Sequence, residues 1–169
     1  FDMGLLGYGT IFKVSSSGTF TKLRDLTFSD GINPKGNLIQ GNDGNFYGMC
    51  SGGGSGFGSI FKISNTGSFS KIKDLEERDG SHPTGNLFLA NDGNFYGMCP
   101  LGGNNTYGSI FKISAQGSFI KIREFLESQG SSPRGSLLLG NDGNIYGQTF
   151  LGGTHSVGTI FKKTQTGIY

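Results

Sequence analysis

The feature that most constrains this chain is a repeat. Tyr96-Gly97-Met98-Cys99 leads through Gly102-Gly103 to Tyr107-Gly108-Ser109-Ile110-Phe111-Lys112-Ile113. The unit recurs as Tyr47-Gly48-Met49-Cys50 leading to Phe57-Gly58-Ser59-Ile60-Phe61-Lys62-Ile63, and as Tyr146-Gly147-Gln148-Thr149 leading to Val157-Gly158-Thr159-Ile160-Phe161-Lys162-Lys163. A headless copy, Tyr8-Gly9-Thr10-Ile11-Phe12-Lys13-Val14, comes first. Ile11, Ile60, Ile110 and Ile160 stand 49, 50 and 50 residues apart. A period near 50 with several short strands in each unit points to a propeller of the kelch size class.

Composition agrees with strands. Ala occurs only at Ala90 and Ala115, which removes the best helix former, while 32 of the 169 residues are Gly. Glycine at that level without a collagen triplet means many turns, because Phe, Ile and Leu recur at fixed places between them. No helix longer than a turn is expected. A net charge of +2 favours neither nucleic acid nor an anionic membrane. No apolar run approaches the ~20 residues that cross a bilayer.

Each repeat holds four apolar segments separated by turn signals. The first reads Asn37-Leu38-Ile39-Gln40 and its copies, and Asn-Asp-Gly-Asn follows at Asn42 to Asn45, Asn91 to Asn94 and Asn141 to Asn144. Asp-Gly between apolar runs predicts a hairpin, here of type I′. The second segment is Phe46 to Cys50, and a glycine-rich loop leads to the third, Ser59 to Ile63. A tight turn at Asn65-Thr66-Gly67 then gives the fourth, Phe69 to Leu75. Four strands on short connections make an antiparallel meander, one propeller blade. Lys22 and Arg24, Lys71 and Lys73, and Lys121 and Arg123 put charge on one face of the fourth strand, as a solvated outer rim does. Phe61, Phe111 and Phe161 read as wedges between blades, and Tyr47, Tyr96 and Tyr146 as core with the hydroxyl on a backbone partner. Cys50 and Cys99 hold equivalent positions in adjacent repeats, too far apart for a disulfide, so buried free thiols are expected.

The fold class expected is all-β, with propeller-like tandem repeats of four-stranded antiparallel blades. Residues 1–169 are expected to form a single repeat region of about three and a half blades: a partial blade at 1–26, blades at 37–75 and 86–125, and a nearly complete blade at 136–169, with only Gly167-Ile168-Tyr169 of its fourth strand. Both ends supply a third strand, and neither supplies the first and second strands missing from the opening blade. An open segment of a larger propeller or repeat array accounts for this, with further repeats or other copies of the chain as contacts.

The repeated core, Asn-Asp-Gly-Asn-Phe-Tyr-Gly, then Gly-Gly, then Tyr-Gly-Ser-Ile-Phe-Lys-Ile, resembles the bacterial tandem repeat called GloVer. That repeat looks like Asp-Gly-Asn-Leu-Tyr-Gly-Thr-Thr, a Gly-Gly loop, and Gly-Thr-Val-Phe-Lys. The likeness covers every repeat and carries no catalytic motif. It implies a propeller-like module of a large exported or surface-anchored bacterial protein, hence an extracellular location. Met49-Cys50 and Met98-Cys99 depart from the usual Thr-Thr, which only Thr149 keeps.

No residue pattern predicts catalysis, a metal or a cofactor. The Asn-Asp-Gly-Asn copies lack the alternating acids and terminal Glu of a calcium loop. Gly52-Gly53-Gly54-Ser55-Gly56 lacks the Lys-Ser/Thr of a phosphate loop. His82 and His155 stand alone in different loops. The strand-two-to-three loops and the inter-blade linkers emerge on one face and vary between copies, whereas the opposite rim repeats the same turns. Loops on a rigid scaffold carry binding. Asp30, Asn33, Asp79, His82, Asn105, Arg134 and His155 are the candidate ligand-binding residues, for a protein or glycan partner. The expected function is a non-catalytic structural and binding module. The alternatives are an enzyme with its site at the propeller axis and a sugar-binding lectin.

Overall fold

The structure is a computed structural model and describes residues 7–164. The expected strand at 167–169 therefore lies outside the described residues. Strands β1 (Thr10–Val14) and β2 (Phe20–Asp25) form a two-stranded sheet. The next sheet runs β3 (Ile32–Gln40), β4 (Phe46–Gly52), β5 (Ser59–Ile63), β6 (Phe69–Asp74) in sequence order. The third repeats it with β7 (Phe88–Leu89), β8 (Phe95–Cys99), β9 (Ser109–Ile113) and β10 (Phe119–Glu124). In the last sheet β13 (Ile145–Leu151) pairs with β11 (Ser131–Pro133), β12 (Leu138–Leu139) and β14 (Ile160–Lys163). Every strand ladder is antiparallel. The only described helices are single 3₁₀ turns at Glu77–Asp79 and Glu127–Gln129.

Pairing with the second strand of the full repeats starts in the linker, before the apolar residues of the first segment. Ile32 and Pro34 pair with Gly52 and Cys50 before the apolar half, Ile39 and Gln40, pairs with Tyr47 and Phe46. Ser131 and Pro133 pair in the same way with Leu151 and Thr149, and Ser81 bridges Leu101. Part of the expected linker is therefore sheet. Pro34 and Pro133 hide it in the sequence, since proline cannot donate to a ladder; the edge position tolerates that lack.

The Asn-Asp-Gly-Asn turns correct another expectation. Gly44, Gly93 and Gly143 have φ of 78°, 75° and 75°, while the preceding Asp43, Asp92 and Asp142 are not among the residues with positive φ. A type I′ turn needs positive φ at both central positions. Here the Gly44 amide donates to the Gly41 carbonyl and the Gly41 amide to the Asn45 carbonyl, which is a type I turn closed by a left-handed glycine. The aspartate has a separate task. Tyr47, Tyr96 and Tyr146 donate their hydroxyls to Asp43, Asp92 and Asp142 at 2.8, 2.9 and 2.7 Å, so the tyrosine partner is a side chain of the turn and not the backbone. The same carboxylates accept from the Asn45, Asn94 and Asn144 amides.

Three apolar clusters fill the gaps between sheets. Phe61, Ile63 and Cys50 meet Ile11 and Leu26 of the preceding sheet. Phe111, Phe95 and Leu87 meet Tyr47, Met49, Ile60 and Leu75. Phe161, Ile145 and Leu137 meet Tyr96, Met98, Ile110 and Phe125. The phenylalanines are the expected wedges. Each also crosses the glycine opposite it in the sheet: a Cβ on Gly48, Gly97 or Gly147 would sit 2.6, 2.4 or 2.4 Å from the Phe ring tip. Cys50 and Cys99 are free and buried, and burial pushes the Cys50 thiol up to about 12 and Cys99 upward as well.

The fourth-strand cations are not simply solvated. Lys22, Lys71 and Lys121 pair with Asp25, Asp74 and Glu124 three residues on. Arg24 and Lys73 pair with Asp30 and Asp79 in the following linker, and Arg123 donates to Gln129. Lys71 and Lys121 also donate to the Ser29 and Arg78 carbonyls of the preceding linker. The charged face is a seam that ties strand to linker.

Candidate functional site

The linkers and the strand-two-to-three loops meet on one face, and their geometry starts from a proline. Pro34, Pro83 and Pro133 lie against Gly9, Gly58 and Gly108, where a Cβ would come within 2.5, 2.9 and 2.7 Å of the proline Cδ. The residue before each proline is turned into the left-handed region: Asn33, His82 and Ser132 have φ of 53°, 56° and 52°. Their amides donate at 2.9 Å to the Tyr8, Phe57 and Tyr107 carbonyls of the preceding loop. A repeated backbone lock thus presents a different side chain in each repeat.

The loops add the same feature. Gly56 of the first full repeat is replaced by Thr106 and Ser156 in the next two, yet both keep positive φ, at 64° and 56°. Asn33, His82, Thr106, Ser132 and Ser156 are all the described non-glycine residues with positive φ, and all five stand on this face. Three of them, Thr106, Ser132 and Ser156, line one cleft of about 340 Å³ between the third and fourth sheets. Pro100, Leu101 and Leu151 give it apolar walls, and Tyr107 and Glu127 complete its polar side. The Tyr107 hydroxyl donates to Glu127 Oε2 at 3.1 Å, and that bond raises the phenol pKa. A neighbouring hollow of about 450 Å³ shares Thr106 and is bounded by Glu76, Glu77 and Arg78. Hydroxyls, one carboxylate and apolar walls suit a neutral, hydroxyl-bearing or amide-bearing ligand.

The residues singled out from sequence divide in two. Asp30 is buried and bonded to Arg24, the closest contact being 2.8 Å, and it accepts from the Thr27 amide. Burial pushes its carboxyl up, and the guanidinium and Thr27 more than reverse this. Asp79 accepts from the Glu76 amide at the 3₁₀ turn and pairs with Lys73 at 2.9 Å. Both carboxylates are committed to the scaffold. Asn33, His82, Asn105, Arg134 and His155 are exposed on the loop face. Asn105 donates to Glu124 at 3.3 Å, and the Arg134 guanidinium lies 4.3 Å from the centre of the Phe150 ring. The structure brings none of the seven into the cleft.

The cleft residues Thr106, Ser132 and Ser156 escaped sequence reasoning. One signal could have found Thr106 and Ser156, which stand where another repeat has Gly56; Ser132, in the place of Asn33 and His82, carried none. The aromatic position Tyr8, Phe57, Tyr107 is packed against the clusters between sheets, and only the Tyr107 edge reaches the cleft. At their first segments neighbouring sheets approach through backbone. A Cβ on Gly85 would lie 1.7 Å from the Gly135 carbonyl, and the Asn37 and Asn86 amides donate to the Asn86 and Ser136 side chains of the next sheet. Among the described residues no three His, Cys, Asp or Glu are grouped to hold a metal ion, and no helix is long and apolar enough to cross a membrane.

Antiparallel four-stranded meanders stacked face to face around an axial edge define a β-propeller-like repeat protein. The chain belongs to the Gloeobacter/Verrucomicrobia repeat family, whose model matches residues 2–169. It is also similar in fold to the X-ray structure of a protein provisionally assigned as a gluconolactonase, with a TM-score of 0.61 and 14% identity. That match covers 93% of this chain and 53% of the other, so the chain spans about half of that protein's length. At this identity the likeness concerns the fold alone. No curated protein sequence matches the chain.

Proposed function

We propose that the chain is a non-catalytic binding module of an exported bacterial protein, and that its loop face holds a glycan or an extended polypeptide in the cleft between the third and fourth sheets. One observation carries the reading: Thr106, Ser132 and Ser156, all held in the left-handed region, surround a single cleft. A non-glycine residue there costs of order 1–3 kcal/mol, and such strain gathers where side chains serve a ligand. A turn needed only for shape would hold glycine, as Gly56 does where Thr106 and Ser156 stand in the later repeats. Export rests on the family and fits the two thiols, whose burial keeps them from an oxidising exterior. Where Gly85 meets Gly135, neighbouring sheets approach through backbone, which leaves an enzyme few side chains to use there.

The test compares stability with binding. Thr106→Gly, Ser132→Gly and Ser156→Gly are expected to change unfolding free energy by no more than about 1 kcal/mol, since relieved strain offsets glycine's added unfolded-state entropy. The same changes should weaken retention on a glycan array or an immobilised peptide library by tenfold or more in combination. If the triple variant binds as the native chain does, or the native chain retains nothing on either surface, the reading fails.

A further inference from the structure

We propose that the cleft between the third and fourth sheets takes one ring of an N-acetylated amino sugar from a neutral glycan, an inference that rests on the binding function proposed for this face. The cleft lies at an internal junction, with both bordering sheets and all three contributing segments described. Leu101 on its wall is 50% exposed although a sheet stands on either side of its own.

The polar side-chain atoms of the cleft are all oxygens, and most have no partner inside the protein. Ser131 lines the cleft at 7% exposure, yet its hydroxyl has no hydrogen-bond partner among the described residues. By contrast, Ser51, Ser59 and Ser109 donate to the Asn33, Asp30 and Asp79 carbonyls. The hydroxyls of Thr106, Ser132 and Ser156 are likewise unpartnered among the described residues. A buried polar group without a partner is uncommon in a native protein, and a ligand would supply the missing bond. Glu127 accepts the Tyr107 hydroxyl on Oε2 at 3.1 Å and pairs with no cation among the described residues, so Oε1 is an open acceptor.

A hydroxyl both donates and accepts, whereas a carboxylate only accepts. Phosphate, sulfate and carboxylate groups are therefore turned away by Glu127. The free hydroxyls come from three segments around the cleft. That arrangement matches the polar rim of a pyranose ring better than the single line of amides along a polypeptide. Pro100, Leu101 and Leu151 add aliphatic walls. An acetamido group answers both remaining demands in one substituent, with an N–H for Glu127 and a methyl for the wall. The adjoining hollow of about 450 Å³ shares Thr106 and gives room for the next ring. The arrangement belongs to this junction. One repeat earlier Ser81 is also buried without a side-chain partner, but Gly52, Gly56, Phe57 and His82 stand where Leu101, Thr106, Tyr107 and Ser132 do.

The probe is the N-acetylglucosamine trimer of chitin, immobilised beside the glucose trimer of cellulose, the glucosamine trimer of chitosan and an Ala/Gly/Ser peptide. The native chain should hold the acetylated trimer at least about tenfold more tightly than the others, the worth of one hydrogen bond to a charged group. Glu127→Gln puts an NH₂ in place of one acceptor oxygen at an exposed position. Its melting should stay native while the preference for the acetylated trimer falls about tenfold, and Glu127→Ala should do the same. Ser131→Ala should leave the melting temperature unchanged, because the hydroxyl bonds nothing in the protein, and should weaken retention of every trimer. Equal retention of the acetylated and plain trimers, tighter retention of the glucosamine trimer or the peptide, or a preference that survives both Glu127 changes overturns this inference. If what is retained is then still weakened by Thr106→Gly, Ser132→Gly and Ser156→Gly together, the binding function of the face stands without it. If nothing is retained, both fall.

Discussion

At the scale of single residues, the aspartate of each Asn-Asp-Gly-Asn turn joins turn geometry to the core. Hydrogen bonds from Asn144 and Tyr146 hold the Asp142 carboxyl down at about 2, and the Asn45 amide chiefly lowers Asp43. Burial, then the bond to the aspartate, pushes the Tyr47 and Tyr96 phenols up to about 12. The signs differ. A carboxyl with a lowered folded pKa adds stability that is complete above its unfolded value near 4 and is lost as pH falls through about 2. A phenol with a raised pKa adds stability that is complete below about 10 and is lost as pH rises through about 12. Melting temperature should therefore hold between pH 5 and 9 and fall on both sides. Tyr47→Phe should cost about 0.5–1.5 kcal/mol at neutral pH and blunt the alkaline limb, read by denaturant melts across pH. An alkaline limb unchanged in that variant would show that the Tyr47–Asp43 bond does not control it.

At the scale of the strand, the pairing of Tyr-Gly with Ile-Phe explains why two glycines in one repeat have unequal weight. Gly97 lies opposite Phe111, and a Cβ there would meet the ring at 2.4 Å. Gly93, in the turn, has open space around it but φ of 75°. Gly93→Ala pays only for conformation, about 1–2 kcal/mol. Gly97→Ala must move a fully buried wedge between two sheets, an overpacking change whose cost is typically ~1–3 kcal/mol and more where neighbours cannot yield. Thermal and urea unfolding of the pair should rank Gly97→Ala as the more damaging. The reverse ranking would mean that the Phe111 ring has room to turn aside.

At the scale of the whole molecule, stability belongs to the spaces between sheets, because a sheet alone leaves both faces bare. The same residue type should therefore matter by location. Phe111→Ala removes a fully buried ring from the middle interface and is expected to cost about 3–5 kcal/mol. Phe12→Ala alters the same place in the motif at an exposed face, and in dilute solution should cost less than about 1 kcal/mol. Equal losses for the two would show that the Phe12 ring is packed as the Phe111 ring is, against its exposure. The charged seam works on the same scale: Arg24–Asp30 and Lys73–Asp79 fasten each linker to the sheet before it, which fixes where the loop face begins.

How much of this was legible in the sequence depends on the range of the interactions. The period of Tyr-Gly and Ile-Phe-Lys determined the four-stranded meander and the phenylalanine wedges, because hydrophobic alternation and turn residues act over a few positions and the repeat multiplies the signal. Whether Asp43 or the backbone receives the Tyr47 hydroxyl, whether Asp30 faces a ligand or Arg24, and whether Pro34 lies in a linker or a ladder were decided by contacts across turns and between strands. Those contacts depend on where chain segments arrive after folding, which residue spacing does not encode. The cleft shows the limit most clearly. Thr106 and Ser156 hold one position in successive repeats and Ser132 another in the linker between them, and only the stacking of the third sheet on the fourth turns all three toward one space.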